Sequence, residues 1–528
     1  MNTFKFVKYA LISVSNKFGI LEFAQSLIKR NIKILSTGNT AQLFNKHNIP
    51  ITNISEYTNF PELMNGKIKT LHPKIHAGIL FQRNQEDDII KLYNIIPIDI
   101  VIVNLYPFSE NSFNINANLN NMTNYIDIGG NALIRAAAKN YRDVMTLIDP
   151  SDYQMAINLL DSNNNIFPIE NKLVMACKAF EYTSQYDTDI CHFFKKQYNQ
   201  TTKEQLNVDY FPKYFYINLI KKQELRYGEN HHQKSALYLD SNQKSGDLIS
   251  YKQIQGKKLS LNNLSDAEIA WECVKTFDQP ACVIVKHGTP CGVSENISSL
   301  ESYVQAYNCD PISAFGGVIA FNQLVDSITI KTIINQQFVE LIVVYKITNN
   351  ALMILKNKNN IRVLICPSIK INNARWNIKQ INGGIIIQDC DESKICNKFW
   401  KIVSKRKPTQ IIYEDAIFAW KVVKFVKSNA IVYVNNKKTI SIGSGQTSRV
   451  DSTKIANLKL IEKKLKTKNI VMASDAFFPF RDNIDIAKEI GVDCIIQPGG
   501  SIRDQEIIDA VNEFNMVMIF TNKRHFKH

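Results

Sequence analysis

Short apolar runs alternate with amphipathic stretches along the first part of the chain. The runs YALISVS, IKILSTG, IDIVIVNLYPF and VMTLID predict strands, while ILEFAQSLIKR and TAQLFNKH have the spacing of helices. This alternation predicts a mostly parallel sheet with helices on its faces. In such a sheet, ligands bind at the carboxyl ends of the strands.

A polar segment, YNQTTKEQLNVDYFP, follows a long helical stretch that ends near Gln197. Polar segments of this kind mark domain boundaries, so we predict two domains, 1–200 and 201–528. Apolar runs recur beyond the boundary at ACVIVKH, GGVIAFN, AIVYVN, IVMASDAFF and VDCIIQPGG. The second domain is therefore also predicted to be α/β and to contain more than one lobe.

The composition narrows the class of protein only slightly. The formal net charge is +15, but the lysines are spread among asparagines and isoleucines, so the charge alone does not identify a partner. The 10 cysteines lack CxxC or four-ligand spacing, which argues against a zinc ribbon or a disulfide scaffold. No apolar run approaches the roughly 18 residues of a membrane span, and we expect a cytoplasmic protein.

Two loops of the first domain carry groups that suit a phosphate. SVSNK (Ser13 to Lys17) and STGNT (Ser36 to Thr40) each follow a predicted strand and precede a helix. Hydroxyls, an ammonium group and backbone N–H groups at a helix start can hold a phosphate. The same hydroxyls also serve as ordinary helix caps, so both interpretations stay open here.

The segment NGKIKTLHPKIHAGIL predicts an exposed cationic loop with Lys67, Lys69, His72 and His76. Two histidines four residues apart on a helix can bind a metal, but no HExxH pattern accompanies them and Pro73 interrupts the segment. We therefore expect no metal site in this loop.

The segment YIDIGGNALIRAAAKN places Asp127 directly before Gly129 and Gly130, at a predicted helix start. Open N–H groups at that position can hold an oxyanion. Asp127 is equally suited to cap the helix. Lys139 lies about three turns further along the same helix.

In VIVKHGTPCGV, a buried strand leads directly into Lys286 and His287, and GTPCG then predicts the end of regular structure. Two adjacent cations repel, so a charged Lys286 is expected to favour a neutral His287 near pH 7. A neutral imidazole on a rigid strand end, open to a pocket, can act as a general acid or base. The alternative is an ordinary strand-end histidine without a catalytic role.

The motifs SVSNKFGILEFA, GKIKTLHPKIHAGIL, NLYPF, IDIGG, LRYGEN, VKHGTPCG, DPISAFGG, IGSGQTSRVDS, ASDAFFPFRD, QPGGSIRD and TNKRHFKH occur in this order along the whole chain. Together they resemble the bifunctional family phosphoribosylaminoimidazolecarboxamide (AICAR) formyltransferase/IMP cyclohydrolase. The resemblance implies an N-terminal parallel-sheet domain similar to methylglyoxal synthase and a larger C-terminal transformylase domain of α/β lobes similar to cytidine deaminase. It also implies a homodimer whose transformylase sites lie at the subunit interface.

The implied reaction transfers a formyl group from 10-formyltetrahydrofolate, a co-substrate, to the amine of AICAR. The product FAICAR then closes to IMP with loss of water, and neither step requires a metal. The implied partners are these small molecules, with no membrane and no specific nucleic acid.

The resemblance also assigns roles to individual residues. For formyl transfer it implies His287 as acid/base, Lys286 and Asn429 as orienting groups, and nucleotide- or substrate-binding positions at Arg226, Tyr227, Glu340, Arg449, Phe477, Asp482, Ser501 and Arg524. For ring closure it implies catalytic groups at Lys69, Tyr106, Asp127 and Lys139, an oxyanion contact at Gly129 and Gly130, and substrate-binding positions at Ser13, Ser15, Lys17, Thr37, Thr40 and Lys67.

The chain departs from the family pattern at several positions. Lys67 replaces an arginine, Asn39 a glycine, His231 a proline and Thr289 an amide, while Val344 and Tyr345 replace a small residue and a proline. The last departure motivates a second hypothesis, in which only the cyclohydrolase is retained. A third hypothesis is a basic RNA-binding protein on an old enzyme scaffold, which predicts steeply salt-dependent RNA binding.

Overall fold

The computed structural model describes residues 6–64, 68–108, 119–201, 210–211, 213–215, 217–240, 247–369, 376–391, 395, 397–464 and 468–528. The chain separates into two compact units, Met1–Tyr216 and Ile217–His528. The boundary predicted near residue 200 falls at the end of the long helix Ile169–Thr201, and its exact place stays a prediction.

The first unit contains a five-stranded sheet in which every pairing is parallel, with the order β3-β2-β1-β4-β5. Its strands are β1 (Tyr9–Val14), β2 (Lys33–Ser36), β3 (Thr52–Asn53), β4 (Ile100–Asn104) and β5 (Met145–Leu147). Its helices are α1 (Ile20–Lys29), α2 (Gly38–Lys46), α3 (Ile54–Thr58), α4 (Pro73–Leu80), α5 (Asp87–Leu92), α6 (Leu119–Thr123), α7 (Gly129–Lys139), α8 (Tyr153–Ser162) and α9 (Ile169–Thr201). The predicted parallel sheet is confirmed.

Both faces of this sheet are buried because successive side chains of a strand point to opposite sides. In β1, Leu11 packs in one hydrophobic cluster, whereas Ala10 and Ile12 pack with Phe23 in the other. A strand covered on both faces reads as a continuous apolar run, which is the pattern of YALISVS.

The second unit contains two mixed six-stranded sheets and two separate two-stranded ribbons. The first sheet consists of β8 (Lys252–Gln255), β9 (Ala281–Lys286), β10 (Thr289–Glu295), β11 (Gly317–Val325), β12 (Val339–Ile347) and β13 (Arg362–Ile365). The second consists of β16 (Lys401–Ile402), β17 (Ile431–Val434), β18 (Thr439–Gly443), β19 (Ile470–Ser474), β20 (Val492–Gln497) and β21 (Val517–Phe520). The ribbons are β6 (Leu219–Glu224) with β7 (Ala236–Asp240) and β14 (Trp376–Ile381) with β15 (Gly384–Asp389).

The two large sheets repeat one topology. Their orders are β10-β9-β11-β12-β13-β8 and β18-β17-β19-β20-β21-β16, with corresponding parallel and antiparallel pairs. The helices of this unit are α10 (Leu261–Val274), α11 (Ser299–Tyr307), α12 (Pro311–Ala314), α13 (Ser327–Gln336), α14 (Asn349–Lys356), α15 (Gln410–Val423), α16 (Arg449–Glu462), α17 (Asp482–Glu489) and α18 (Asp504–Glu513). The sheets are the predicted lobes, and they share one hydrophobic cluster that includes residues of both.

One expectation about VIVKHGTPCGV was wrong. The chain does not leave regular structure after His287, because β10 begins at Thr289 and pairs antiparallel with β9. His287 and Gly288 form the whole turn, with φ angles of 53° and 74°. Such left-handed pairs give the two-residue hairpin turn that matches strand twist. The register shift between Pro290 and Gly292 accommodates the proline and glycine within the strand.

We expect Gly292→Ala to destabilise the second unit. A Cβ on Gly292 would lie 1.9 Å from the carbonyl oxygen of Ala306 in α11, so the backbone must move. The expected loss is about 1–3 kcal/mol of unfolding free energy, measurable as a lower denaturant midpoint. Gly384→Ala is the matched control, because a Cβ there meets nothing within 4 Å. Equal midpoints for the two variants would contradict the close packing of β10 on α11.

Candidate active sites

In the first unit, the loop after β1 is fixed by the last residue of β4. The side-chain oxygen of Asn104 accepts hydrogen bonds from the backbone N–H groups of Ser15 (2.6 Å) and Asn16 (2.8 Å). Because β1 and β4 are parallel neighbours, their carboxyl ends lie side by side. Asn104 was not among the predicted site residues, although its position at the start of NLYPF was the available signal.

Two ammonium groups and a hydroxyl meet at the start of α2. The Lys17 Nζ donates to the Thr40 hydroxyl at 2.7 Å and also contacts the carbonyl oxygen of Val14. The Lys69 Nζ lies over Gly38, where a Cβ would be only 2.5 Å from it. Burial, followed by the charge of Lys69, lowers the pKa of Lys17 to about 8. The structure thus brings together three predicted residues, Lys17, Thr40 and Lys69, in a cationic pocket.

A carboxylate already uses the donors at this helix start. Glu62 Oε1 accepts from the Thr37 hydroxyl at 2.7 Å and from the Gly38 N–H at 3.2 Å. Helix N-termini attract anions, and a phosphate bound there would use the same donors. The sequence analysis missed Glu62, because nothing in its local sequence links it to residues 37 and 38.

Asp127 lies at the start of α7, beside the same cationic pocket. Its Oδ1 accepts from the Gly130 N–H at 2.7 Å, so this N–H is not open to an oxyanion as expected. Burial raises the pKa of Asp127, while the Gly130 hydrogen bond and the charge of Lys69 act in the opposite direction. Ile128, and not Asp127, is the N-cap residue of α7, but the Asp127 carboxylate binds an N–H group of the first turn from one position earlier.

Two phenols of α9 hold the backbone around Asp127 and Tyr106. The Tyr186 hydroxyl accepts from the Asp127 N–H at 2.9 Å and donates to a backbone carbonyl at 2.8 Å. The Tyr182 hydroxyl accepts from the N–H of Leu105 at 3.1 Å. Neither tyrosine was predicted, since the long helical stretch gives no sign of which face meets the site.

The remaining predicted residues of the first unit are less closely placed. Lys139 is exposed at the far end of α7, about 15 Å of helix from Gly129. Tyr106 is exposed after β4, and Ser13 lies within β1. Lys67 lies outside the described residues. The roles of these residues stay predictions.

In the second unit, Lys286, His287 and Gly288 are held by three separate segments. The Lys286 Nζ donates to the Gly316 carbonyl at 2.7 Å, and the Lys427 Nζ donates to the His287 carbonyl at 3.1 Å. Asp266 of α10 accepts from the Gly288 N–H at 2.6 Å. The His287 side chain remains exposed beside these groups. Lys427 and Asp266 were both missed by the sequence analysis.

Asn429 is oriented by a buried ion pair. Arg449 donates to the Asn429 side-chain oxygen at 2.7 Å and to Asp475 Oδ1 at 3.0 Å. The Asp475 side chain is 0% exposed and that of Arg449 10%, so breaking the pair would leave a buried charge. Arg449 was expected to bind an anionic ligand, but both Nη atoms are engaged within the protein, the second by the Phe477 carbonyl at 3.1 Å. In this structure its guanidinium group contacts Asn429, Asp475 and Phe477, and its ligand role stays a prediction.

Three more predicted residues, Arg226, Tyr227 and Glu340, form hydrogen bonds near the start of α10, the helix that carries Asp266. The Arg226 N–H donates to the Leu259 carbonyl at 2.8 Å, and the Tyr227 carbonyl accepts from Leu261 at 3.1 Å. Glu340 accepts a 3.0 Å hydrogen bond from Asn263. Helix α10 therefore links these three positions to the turn that carries His287.

The other four predicted residues lie in the second lobe, with Asp482 at the first position of α17 and the other three in loops. Phe477 is partly exposed, Asp482 accepts from the N–H of Asn483, and Ser501 donates its N–H to Asp504. Arg524 lies 4.7 Å from the Phe526 ring, in the C-terminal segment that also contacts Asp475. These contacts are all made within the chain, and the ligand roles of the four residues stay predictions.

Within the described ranges, no group of three or more histidine, cysteine, aspartate or glutamate residues is placed to hold a metal ion. No helix in the same part of the chain is long and apolar enough to cross a membrane.

The chain is similar to known families and proteins over nearly its whole length. A family model described as AICARFT/IMPCHase bienzyme matches residues 137–459, and one described as MGS-like domain matches residues 19–132. The bifunctional purine biosynthesis protein PurH of Buchnera aphidicola subsp. Schizaphis graminum (strain Sg) is 53% identical over 524 residues, covering 99% of both chains. Its counterpart in Buchnera aphidicola subsp. Acyrthosiphon pisum (strain 5A) is 53% identical over 527 residues, also covering 99% of both chains.

A solved structure titled "Crystal structure of ForH" is 28% identical and covers 36% of this chain and 99% of its own, with a TM-score of 0.32. That score is too low to support a structural argument. The family resemblance and the fold class inferred from the sequence are confirmed by the family models and the two relatives.

We expect phosphate binding at the start of α2 to weaken as the pH rises through about 8, where Lys17 loses its proton. A phosphate monoester has its second pKa near 6, so its own charge is constant in this range. The measurement is calorimetric titration with a phosphate monoester between pH 7 and 9. Lys17→Met should bind more weakly at pH 7 and lose the step near pH 8. An identical step in this variant would assign it to another group.

Proposed function

Because this chain belongs to the AICARFT/IMPCHase bienzyme family, we propose that each of its two units carries one of the two reactions. The chain is a bifunctional enzyme of purine biosynthesis with formyltransferase and IMP cyclohydrolase activities, as interpreted from its sequence. We assign formyl transfer to the unit Ile217–His528 and ring closure to the unit Met1–Tyr216. The observation that carries this assignment is the exposed His287 at a turn contacted by Lys427 and Asp266.

In formyl transfer, the amine of AICAR attacks the formyl carbon of 10-formyltetrahydrofolate. This amine is conjugated with the ring and is a poor nucleophile, so proton removal must accompany the attack. His287 accepts that proton, and the bond from the formyl carbon to N10 then breaks. The imidazole returns the proton to N10 of the leaving tetrahydrofolate. Lys286 and Asn429 are fixed by their own hydrogen bonds and orient the reacting groups.

The folate co-substrate has a flat ring that requires an apolar surface. Phe315 and Phe338 are 63% and 49% exposed, their ring centroids are 5.6 Å apart, and they flank Gly316, which contacts Lys286. We place the folate ring against these two phenylalanines. Aromatic faces stack well on flat conjugated rings.

The departure at Val344 and Tyr345 lies inside β12 rather than in an open loop. Val344 is 0% exposed and pairs with Phe321 and Ile365 in the sheet, and Tyr345 packs against the core. The two residues thus extend the strand and contribute to packing. Retention of the cyclohydrolase alone remains the competing hypothesis, and separate assays of the two steps decide between them.

In ring closure, the carboxamide nitrogen of FAICAR attacks the formyl carbon, and the formyl oxygen leaves as water. Lys17, Thr40 and the N–H groups at the start of α2 bind the phosphate, with Glu62 giving up its donors. Lys69 and Asp127 lie close enough to interact electrostatically, and burial raises the pKa of Asp127. A carboxyl group with a raised pKa holds its proton up to a higher pH than an ordinary carboxyl group, which suits it to proton transfer.

The proposal predicts that the two activities can be removed separately. His287→Ala should lower formyl transfer by about 10²–10⁴-fold and leave closure of added FAICAR intact, because only the first step loses its acid/base. Asp127→Asn should do the reverse. One assay supplies AICAR and 10-formyltetrahydrofolate and follows tetrahydrofolate, and a second supplies FAICAR and follows IMP. Parallel loss of both activities in either variant would indicate a general folding defect and refute the assignment.

We also propose that the chain forms a homodimer. The ribbon β14–β15 exposes Ile378, Ile381, Ile385 and Ile386, and β6–β7 exposes further apolar side chains. A two-stranded ribbon is marginally stable alone and requires a partner surface. A second copy of the chain is the proposed partner.

Ile386→Lys should convert the dimer to a monomer, because it places a charge in the proposed interface. Ile386 is 50% exposed, and Ile297, which is 83% exposed, lies in the loop between β10 and α11 and belongs to neither ribbon. Ile297→Lys is therefore the matched control and should remain dimeric. Light scattering coupled to size exclusion measures the mass. A wild-type chain that is monomeric at micromolar concentration would overturn the proposal.

We propose small molecules, and no nucleic acid, as the partners of this basic protein. Tight and steeply salt-dependent RNA binding would favour the RNA-binding hypothesis instead. The cytoplasmic location stays a prediction.

A further inference from the structure

The turn that carries His287 has a backbone conformation that a histidine rarely adopts. His287 and Gly288 have φ angles of 53° and 74°. Glycine adopts these angles freely, whereas an L side chain is disfavoured there and needs support from its surroundings. A neighbouring group must therefore stabilise this turn.

Asp266 supplies that support from α10. Its Oδ1 accepts from the Gly288 N–H at 2.6 Å, and the nearby His287 N–H helps to lower the pKa of the carboxyl group. On the other side, the Lys427 Nζ donates to the His287 carbonyl at 3.1 Å. The turn is therefore fixed by a carboxylate at the Gly288 N–H and by an ammonium group at the His287 carbonyl.

We propose that Asp266 is a positioning residue for formyl transfer, which fixes the His287 turn and places a negative charge next to it. This inference rests on the proposed role of His287. It adds a residue that the sequence motifs did not single out. His287 remains the group that touches the substrate.

The charges around the imidazole make this carboxylate important. Lys286 on β9 and Lys427 in the loop before β17 are both cationic, and Lys427 contacts the turn directly. Asp266 is the negative group that contacts the same turn. Burial raises the pKa of Asp266, while the two turn N–H groups and the charges of His287 and Lys286 lower it. The sequence analysis considered only the charge of Lys286 and did not include the negative charge of Asp266.

The second lobe also has a helix aspartate that accepts hydrogen bonds from a hairpin turn, but this turn contains no histidine. Asp415 of α15 accepts from the N–H groups of Asn436 (2.8 Å) and Lys437 (2.7 Å), whose φ angles are 51° and 53°. Asp266 and Asp415 each occupy the sixth position of a 14-residue helix. An aspartate that fixes a hairpin turn is thus a repeated feature of the fold. The first lobe differs in placing an imidazole beside the carboxylate.

This repeat provides a matched pair of variants, Asp266→Asn and Asp415→Asn. Each keeps a side-chain oxygen that can accept a turn N–H, and each removes one negative charge. With Asp266→Asn, we expect kcat for formyl transfer to fall about tenfold or more, because a small displacement of a catalytic group is costly. The acid limb of its kcat/KM profile should move to lower pH, since a negative charge next to the turn is removed. Asp415→Asn should change neither quantity, and ring closure should be unchanged in both variants.

A direct titration of His287 keeps the test independent of turnover. The His287 resonance, assigned by comparison with His287→Gln, should titrate at lower pH in Asp266→Asn than in the wild-type protein. The same midpoint in both proteins, or equal loss of transfer in the Asp266 and Asp415 variants without a pH shift, would reduce Asp266 to a structural role and overturn the inference. If the wild-type protein transfers no formyl group, the proposed function fails, whereas the titration still decides the coupling of Asp266 to His287.

Discussion

The conformation of a single two-residue turn determines where the imidazole of His287 lies. The antiparallel pairing of β9 with β10 requires left-handed angles at His287 and Gly288. The turn is compatible with a histidine because hydrogen bonds from neighbouring segments over-determine it. The buried strand β9 supplies rigidity, and the turn supplies exposure. A side chain that must exchange protons with a ligand needs both properties.

The two units arrange charged groups differently at their candidate sites. In the first, parallel strands place the loop after β1 and the start of α2 at one sheet edge, where Lys17 and Lys69 make the pocket cationic. Glu62 partly neutralises that pocket and uses its donors. In the second, Arg449 and Asp475 form a buried pair that orients the neutral amide of Asn429. The candidate site of the first unit is thus cationic, while that of the second unit contains an oriented neutral amide.

The sequence predicts those features of the fold that depend on the local pattern of apolar and polar residues. Doubly buried strands such as YALISVS read as apolar runs, so the parallel sheet of the first unit and the lobes of the second follow from periodicity. The GTPCG segment misled this reasoning because glycine and proline signal breaks, although here they begin a strand after a tight turn. The motifs identified the residues of the family but not their supporting partners. Asn104 and Asp266 contact positions 89 and 22 residues away in sequence, a distance over which side-chain pattern carries no signal. Arg449 shows the same limit, since the sequence around it gives no sign of the buried aspartate that it contacts, and its anion-binding role stays a prediction.

A crystal structure of the protein with AICAR bound tests the central claim most directly. The account predicts a ring nitrogen of His287 within about 2.6–3.2 Å of the AICAR amine, or joined to it through one water molecule. An amine bound far from this imidazole and next to another base would contradict it.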